Sequence, residues 1–391
     1  MFLVFPEFEE YSTPLLLLTL QGLVFAFLLL RRYSRGKNPS DLFLFFILLF
    51  TCYGQTCYTV GFMGWYDTYR TTKINYALFN VGLVVAPLIY LYVRSITTPK
   101  YKSRAKDIFH FVPFALFFCY RFSIYIFDSL QPGFDEVQNG ILKLSLDEAY
   151  VLPITIAFGF AQMLLYLAFT FQMFYNYRRK INAFFSNTYK LELNWIRNFL
   201  LLYTFLFLYD VAQTVITSFF LKLGYMQQWW LIFFTGLTII YVGIKGYFTD
   251  TQKLKELIFP FPSGRISQEE LTNATPKRIS KDNLDQLVKL MESDKPYLNP
   301  ELNLNDLAKR AKMNRAQLSE TINLGFGKNF NDFVNMYRIE AFKKMVEAEK
   351  HEQLSLLGMA FECGFNSKAT FNRVFKKLTK ISPTEFLRTA V

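Results

Sequence analysis

Long apolar runs fill the chain as far as residue 248, and beyond it apolar residues recur at helical spacing among charged ones. Seven runs are each close to the roughly 20 residues with which an α-helix crosses a bilayer. They occupy residues 14–30, 42–62, 76–93, 108–127, 151–175, 198–221 and 229–248. The pattern therefore predicts seven membrane-spanning helices within residues 1–248.

The loops between these runs alternate in their content of Lys and Arg. The loops after the first, third and fifth runs hold 14 such residues, whereas the other segments outside the runs, up to the seventh, hold four. Because cation-rich loops stay in the cytoplasm, the N-terminus is predicted to lie outside and the C-terminus inside. Glu7, Glu9 and Glu10 precede the first run, unlike the basic flank of a signal peptide, so this run is expected to be retained.

Arg121 lies within the fourth predicted span and Asp210 within the sixth. A charge in the hydrocarbon core costs about 2.5–3.5 kcal/mol on insertion scales, so such a residue usually faces a partner or a wet cavity. Two interpretations stay open. Either the two residues line a site for a ligand or signal, or they form a structural pair or extend to the membrane surface.

Residues 249–283 interrupt the helical pattern and separate the two halves of the chain. They are mostly polar and include Pro260, Pro262 and Pro276. Proline ends a helix that continues from the seventh run. We interpret this stretch as a juxtamembrane linker between a transmembrane domain, residues 1–248, and a soluble domain, residues 284–391.

The soluble domain contains an internal repeat. The apolar positions of the segment from Leu304 recur in the segment from Leu356 at an offset of 52, which becomes 53 after a one-residue insertion. In the second copy Gly364 can supply the positive φ of a tight turn, and Asn366 or Ser367 can cap the helix that follows. Two helices joined by a tight turn are typical of a helix-turn-helix unit.

Apolar spacing also predicts the other helices of this domain. Leucines from Leu284 to Leu290 mark a first helix, and residues 330–346 fit one long helix between the two copies. The predicted fold is all-α, with a seven-helix transmembrane bundle followed by a soluble seven-helix domain. The helix-turn-helix units cover about residues 303–326 and 355–380 and are joined by the long helix.

Composition narrows the chemistry that this chain can perform. Its formal net charge of +12 suits both cytoplasmic loops of a membrane protein and attraction to nucleic acid. The four Cys and two His form no CxxC pair and no ligand spacing, so neither a disulfide framework nor a metal site is indicated, and no cofactor is expected. No P-loop, HExxH or GxSxG motif is present, so an enzyme is the least favoured class.

Residues from about 284 to 391 resemble the DNA-binding domain of the AraC family of bacterial transcription regulators. The resemblance depends on Ala360, Gly364, Phe365, Phe371, Arg373, Phe375, Lys376, Ser382 and Pro383, and on Tyr337, Arg338, Ile339 and Ala341 of the long helix. Lys380 stands where the family commonly has glycine, which Gly327 keeps in the first copy. The turn at Lys380 is therefore expected to be strained or differently shaped.

The resemblance implies that the second helix of each unit enters the major groove of double-stranded DNA, in successive grooves roughly 34 Å apart. Polar side chains at the starts of these helices would read base edges, and lysines would contact phosphates. The candidates are Asn314, Arg315, Gln317, Ser319, Glu320, Lys328, Ser367, Lys368, Thr370, Asn372, Arg373, Lys376, Lys377 and Lys380. For Arg338 and Arg373 the alternative is a structural role, buried beside acids.

These predictions favour a membrane-bound one-component transcription regulator of the bacterial inner membrane. Its partners would be double-stranded DNA, the lipid bilayer, an unidentified signal ligand and a second copy of the chain on an adjacent half-site. The alternative is a membrane receptor or transporter whose C-terminal helical domain is a protein-interaction module.

Overall fold

The computed structural model describes residues 8–64, 80–98, 101–132, 140–188, 191–221, 223–249, 281–349 and 353–390. Among these residues there are fourteen α-helices, α1 to α14, and no β-strand, which confirms the predicted all-α fold. The chain divides into two compact units. The apolar unit comprises Met1–Phe174 and Asn194–Phe259, and the C-terminal unit comprises Tyr175–Leu193 and Pro260–Val391. Most of the predicted linker lies outside the described residues.

Helices α1 to α7 follow the seven apolar runs. Short 3₁₀ turns precede α4 and α7, and a π-helical turn, Lys143–Val151, precedes α5. The last residues of α5, from Tyr175 onward, belong to the C-terminal unit. The bounds are α1 Ser12–Gly36, α2 Pro39–Phe62, α3 Val81–Thr97, α4 Val112–Ser129, α5 Leu152–Phe184, α6 Asn194–Phe219 and α7 Trp229–Phe248.

Six of these helices, with the turns that lead into them, are long and apolar enough to cross a membrane. The exception is α3, which is apolar but has only 17 residues. Residues 65–79, before α3, are not among the described residues. Within the described ranges, length and composition therefore support six spans, and the seventh stays a prediction.

The helices of the apolar unit approach one another closely at glycines. Helix α1 packs against α2 and α7. A Cβ atom on Gly243 of α7 would lie 2.8 Å from Phe25 of α1, and one on Gly22 of α1 would lie 2.6 Å from Ile239 of α7. Such contacts are typical of membrane helices, whose association depends on close backbone packing because lipid removes the hydrophobic drive between them.

Large apolar side chains are exposed on the outer faces of this unit. Phe27, Leu116, Phe205 and Phe219 are each at least 64% exposed. Soluble proteins rarely leave extended apolar patches open to water. Exposure of this kind fits a surface that contacts lipid.

The described residues of the C-terminal unit form two hydrophobic cores. One lies between α8, α9, α10 and the first half of α11, around Phe333. The other lies between the second half of α11 and α12 to α14, around Phe342 and Phe375. Helix α11 contributes to both cores and so connects the two repeats. The bounds are α8 Lys281–Ser293, α9 Leu304–Arg310, α10 Arg315–Phe326, α11 Phe330–Glu347, α12 Leu356–Glu362, α13 Lys368–Thr379 and α14 Pro383–Ala390.

The same backbone turn joins the two helices of each repeat. The N–H of Met313 donates to the carbonyl oxygen of Ala308 at 3.0 Å, and that of Phe365 donates to Ala360 at 3.1 Å. Each bond spans five residues, as in the Schellman motif, where a left-handed residue ends a helix. The caps that follow, at 314 and 367, are 53 residues apart, which agrees with the one-residue insertion in the second copy.

The left-handed positions differ in how strongly they require glycine. Gly364 has a φ of 89°, and a Cβ atom there would lie 2.9 Å from the carbonyl oxygen of Leu298 and 3.0 Å from Nε of Arg338. After α10 and α13, Gly327 and Lys380 have similar φ values of 61° and 69°. The residue at 380 therefore keeps the left-handed conformation of its glycine counterpart, and the cost of lysine there is backbone strain.

We predict that Gly364→Ala lowers the free energy of unfolding of the C-terminal unit by more than about 2 kcal/mol, because the methyl group meets backbone atoms and adds left-handed strain. Gly327→Ala should cost about 1 kcal/mol, since no described atom lies within 4 Å of a Cβ atom there and only strain is added. Lys380→Gly should raise the free energy of unfolding by about 1 kcal/mol. Hydrogen exchange of α11 and α13 amides in the full-length protein measures all three, and equal losses at Gly364 and Gly327 would contradict the steric argument.

Candidate nucleic-acid interface

The first recognition helix, α10, begins with a reciprocal cap. The N–H of Gln317 donates to Oδ1 of Asn314, and the N–H of Asn314 donates to Oε1 of Gln317, both at 2.9 Å. These two side chains and that of Glu320 are exposed, whereas Arg315 and Ser319 are half-buried. Two of the predicted base-reading residues therefore also fix the start of the helix.

The second recognition helix, α13, begins after Ser367. The Oγ of Ser367 accepts from the N–H of Thr370 at 3.2 Å and donates to the Oγ1 of Thr370 at 2.8 Å. Thr370 is only 4% exposed, so this structure places it against the core rather than on the face open to DNA. Its position four residues before the buried Val374 was a sequence signal for that orientation.

An exposed stripe of Lys368, Asn372 and Lys376 runs along α13, because residues four apart share one helix face. Its two ammonium groups can contact phosphates, and the amide between them can read a base edge. The exposed face of α10 is less cationic, with acidic Glu320 exposed and Arg315 half-buried. The second helix-turn-helix repeat therefore offers the stronger electrostatic attraction to DNA.

Three other predicted phosphate contacts, Lys377, Lys328 and Lys380, lie in different surroundings. The Nζ of Lys377 lies 2.6 Å from Oδ1 of Asp332 on α11, and both side chains are partly exposed. An exposed pair of this kind contributes about 0–1 kcal/mol, so it leaves Lys377 able to exchange partners. Lys328, after the end of α10, is half-buried, and Lys380 is exposed.

Arg373 of α13 forms a two-pronged ion pair with Glu192. Its Nη2 lies 2.8 Å from Oε1 of Glu192, and its Nη1 donates to Oε2 at 3.0 Å. The arginine side chain is 49% exposed, but the carboxylate is only 3% exposed and also accepts from Oγ1 of Thr188 at 2.7 Å. A further cation, Arg178, lies 3.3 Å from the same carboxylate. Arg373 is thus a paired arginine on the helix that is predicted to enter the major groove.

Glu192 belongs to the α5–α6 segment, residues 175–193, which forms part of the C-terminal unit. In that segment the Oγ of Ser186 donates to the carbonyl oxygen of Leu302 at 2.6 Å. The side chain of Asn331 on α11 donates to the carbonyl oxygens of Phe185 and Ser186, at 3.1 and 2.7 Å. The segment therefore contacts both the start of the first repeat and the helix between the repeats.

Arg338 of α11 is buried, and its guanidinium group binds backbone. It donates to the carbonyl oxygens of Tyr297 and Asn299, both at 2.8 Å, and to Oγ of Ser186 at 3.2 Å. Its guanidinium carbon lies 5.8 Å from the centre of the Phe365 ring. Burial lowers the pKa of Arg338 to about 10, so the group stays charged at neutral pH. The structural interpretation of Arg338 holds, although its hydrogen-bond partners are carbonyl groups and a hydroxyl rather than acids.

In the apolar unit, Arg121 pairs with Asp147 rather than with Asp210. The Nε of Arg121 lies 3.1 Å from Oδ1 of Asp147, and both side chains are buried. Lys143, one turn earlier, also contacts Asp147. The interpretation of Arg121 and Asp210 as a pair is therefore wrong. Asp210 instead lines a cavity among the helices.

In a comparison with known protein families, residues 307–389 match a family described as a helix-turn-helix domain. The C-terminal unit carries a helix-turn-helix domain of the AraC type. An uncharacterised HTH-type transcriptional regulator in the cgkA 5′ region of Pseudoalteromonas carrageenovora is 32% identical over 93 residues, which are 24% of this chain and 52% of that protein. The chain thus spans about half the length of the curated relative that it matches. No solved structure matches the chain.

The contacts that the side chains of Glu192 and Ser186 make with the AraC-type domain were not predicted. Neither residue belongs to the matched region, and Ser186 carries no recognisable motif. Glu192 did leave a signal, because it is the only acidic residue between Tyr175 and Arg197 in an otherwise basic segment.

Two substitutions in the AraC-type domain separate phosphate contacts from base contacts. We predict that Lys376→Ala weakens binding of the full-length protein to all DNA sequences alike and reduces the slope of log K against log salt by about 0.9. Asn372→Ala should instead relax the preference at one base pair, with a loss of about 1–3 kcal/mol. Fluorescence anisotropy over a salt series, with a DNA site selected from a random pool, measures both.

The matched control is Lys343→Ala, because Lys343 of α11 is already paired with Glu340 at 2.8 Å and does not lie on a recognition helix. It should change neither the salt slope nor the sequence preference. A sequence-dependent loss for Lys376→Ala would contradict its assignment to phosphate.

Proposed function

We propose that this protein is a membrane-bound one-component transcription regulator. The apolar unit lies in the bacterial inner membrane with the N-terminus outside, and the C-terminal unit binds double-stranded DNA in the cytoplasm. A signal ligand in the apolar unit changes that binding. The observation that carries the proposal is the ion pair between Arg373 on α13 and Glu192 in the α5–α6 segment.

DNA binding is supported by the doubled helix-turn-helix and by its charge. Helices α10 and α13 both start with side-chain caps, and α13 presents Lys368, Asn372 and Lys376 on one exposed face. Lysine and asparagine at such positions provide phosphate and base contacts respectively. Sequence-specific binding follows if both helices enter the major groove at the same time.

A membrane location is supported by several independent features. Six described helices have the length and composition of membrane spans, and their outer faces expose large apolar side chains. The distribution of Lys and Arg favours a cytoplasmic C-terminus. A cytoplasmic C-terminus gives the AraC-type domain access to the chromosome.

Control of DNA binding is supported by the position of Glu192. Its carboxylate binds both Nη atoms of Arg373. Arginine uses a similar two-bond contact to read guanine, so this pairing competes with base recognition. The carboxylate also offsets the positive charge of Arg373 and so reduces the attraction of that side chain to DNA phosphates. Because the α5–α6 segment continues directly into α5 and α6, a change in the packing of those helices acts on both of its ends. Release of Glu192 would free Arg373 for DNA.

Two copies of the chain on adjacent half-sites would strengthen this response. Anchorage in one membrane confines the domains to a thin layer, which raises their effective concentration on a shared operator. A ligand that brings two apolar units together would then act in the same direction as release of Glu192.

We predict that Glu192→Gln raises the affinity of the full-length protein for its DNA site about ten-fold, which corresponds to about 1.4 kcal/mol. The substitution keeps the shape of the side chain but removes the charge that holds Arg373. Arg373→Ala should weaken binding, and in the double variant the gain from Glu192→Gln should disappear. Anisotropy titrations of the four proteins in lipid nanodiscs complete this double-mutant cycle.

The control is Asp332→Asn, which frees Lys377 from an exposed pair within the same unit. It should alter affinity by no more than a few-fold, because such pairs are weak. Unchanged or reduced affinity in Glu192→Gln, with the unit still folded, would show that Glu192 does not restrain DNA binding.

The DNA-binding proposal itself is tested by the wild-type protein in nanodiscs with a library of DNA fragments at low salt. We expect enrichment of one sequence class, with an affinity that falls steeply as salt rises. If the folded protein enriches no fragment, the chain is not a DNA-binding regulator. Solute uptake into vesicles would then distinguish a transporter.

A further inference from the structure

A cavity of about 490 Å³ lies inside the apolar unit. Residues from α2, α3, α5, α6 and α7 line it, so an occupant of the whole cavity would contact five of the seven helices described in this unit. A volume of this size is within the usual range for small-molecule sites, about 300–1,000 Å³. The cavity is therefore large enough for an organic molecule and much larger than a single ion requires.

Among the described residues that line the cavity, Asp210 of α6 is the single charged one. The ion pairs found among the described residues of this unit involve other acids, namely Asp41, Asp107, Asp147 and Glu148. A carboxylate among membrane-spanning helices is costly unless a cation or hydrogen-bond donors compensate it. A positive group that enters the cavity would therefore compensate the charge of the Asp210 carboxylate.

The remaining lining combines hydrogen-bond acceptors with aromatic rings. Gln55 of α2 is 2% exposed, and its Oε1 has no hydrogen-bond partner among the described residues. Buried side-chain oxygens of this kind usually bind a donor. Tyr58, Phe160, Tyr203 and Phe207 also face the cavity, and aromatic faces attract organic cations.

We propose that this cavity binds a small organic cation, an amine with an apolar or aromatic body, whose charged group pairs with Asp210 and donates to Gln55. The apolar part of such a molecule fills the space between the aromatic rings. The site differs from an anion site, because the described part of its lining contains no cationic side chain. The role of this molecule as the signal ligand of the regulator rests on the proposed function. Its binding to the cavity does not depend on DNA.

A ligand in the cavity would affect the C-terminal unit through helices α5 and α6. Asp210 lies on α6 and Thr155 and Gly159 lie on α5, and these two helices are joined by the α5–α6 segment. A ligand that pairs with Asp210 therefore acts on α6, one of the two helices joined by the segment that contains Glu192. Differential affinity for two packings of these helices is all that such control requires.

Three probes of nearly equal shape test the charge requirement: 2-phenylethylamine, 2-phenylethanol and phenylacetate, each at millimolar concentration and constant ionic strength. Thermal unfolding of the full-length protein in detergent gives the response. We expect the amine alone to raise the Tm, by about 2–4 °C. Asp210→Asn should abolish this rise, whereas Glu148→Gln, which removes an exposed acid that does not line the cavity, should retain it.

Equal stabilisation by the alcohol, or a full response to the amine in Asp210→Asn, would overturn the assignment, as would the absence of any amine response in the wild-type protein. Elution of each variant as a single species in size-exclusion chromatography shows that it is folded. Each sample is also tested for DNA binding. If the wild-type protein binds DNA but shows no amine response, only the proposal for the cavity is contradicted. If it shows the amine response but binds no DNA, only the proposed regulator function is contradicted.

Discussion

The C-terminal unit depends on one buried cation that binds backbone carbonyl groups. Arg338 lies in the middle of α11 and ties that helix to the segment before α9 and to Ser186 of the α5–α6 segment. Gly364 leaves the space that this group needs, because a side chain there would meet Tyr297 and the guanidinium itself. A buried charge that loses its hydrogen bonds costs several kcal/mol, so these stretches are expected to stay together while the unit is folded. The spacing of the two recognition helices follows from this arrangement, since both pack on α11.

The α5–α6 segment meets two arginines whose interactions differ in strength. Ser186 binds the buried Arg338, so that contact belongs to the fold, whereas Glu192 binds Arg373, which is half exposed. An ion pair with one exposed partner is easier to break than a buried network, because water can replace the lost partner. Under the proposed regulation, the segment would therefore release the recognition helix while it stays attached to the domain. This difference would allow a modest signal from α5 and α6 to alter DNA contacts without unfolding.

Periodicity and repetition were sufficient to predict most of the helices. The seven apolar runs, the doubled helix-turn-helix with its one-residue insertion, and the long joining helix are all visible as spacing of apolar residues. The partners of Arg338 are not visible in this way, because backbone carbonyls leave no trace in residue type. The pairing of Glu192 with Arg373 joins polar residues 181 positions apart and follows no period. Thr370 shows the opposite case, in which helical phase indicated burial although the residue type suggested a DNA contact.

Hydroxyl-radical footprinting of the full-length protein in lipid nanodiscs measures most directly whether α11 presents two recognition helices to one DNA face. Two protected patches about ten base pairs apart, on the same side of the duplex, are predicted, because successive major grooves are spaced by one helical turn. A single patch, or no protection at low salt by a protein whose C-terminal unit is folded, would contradict this arrangement.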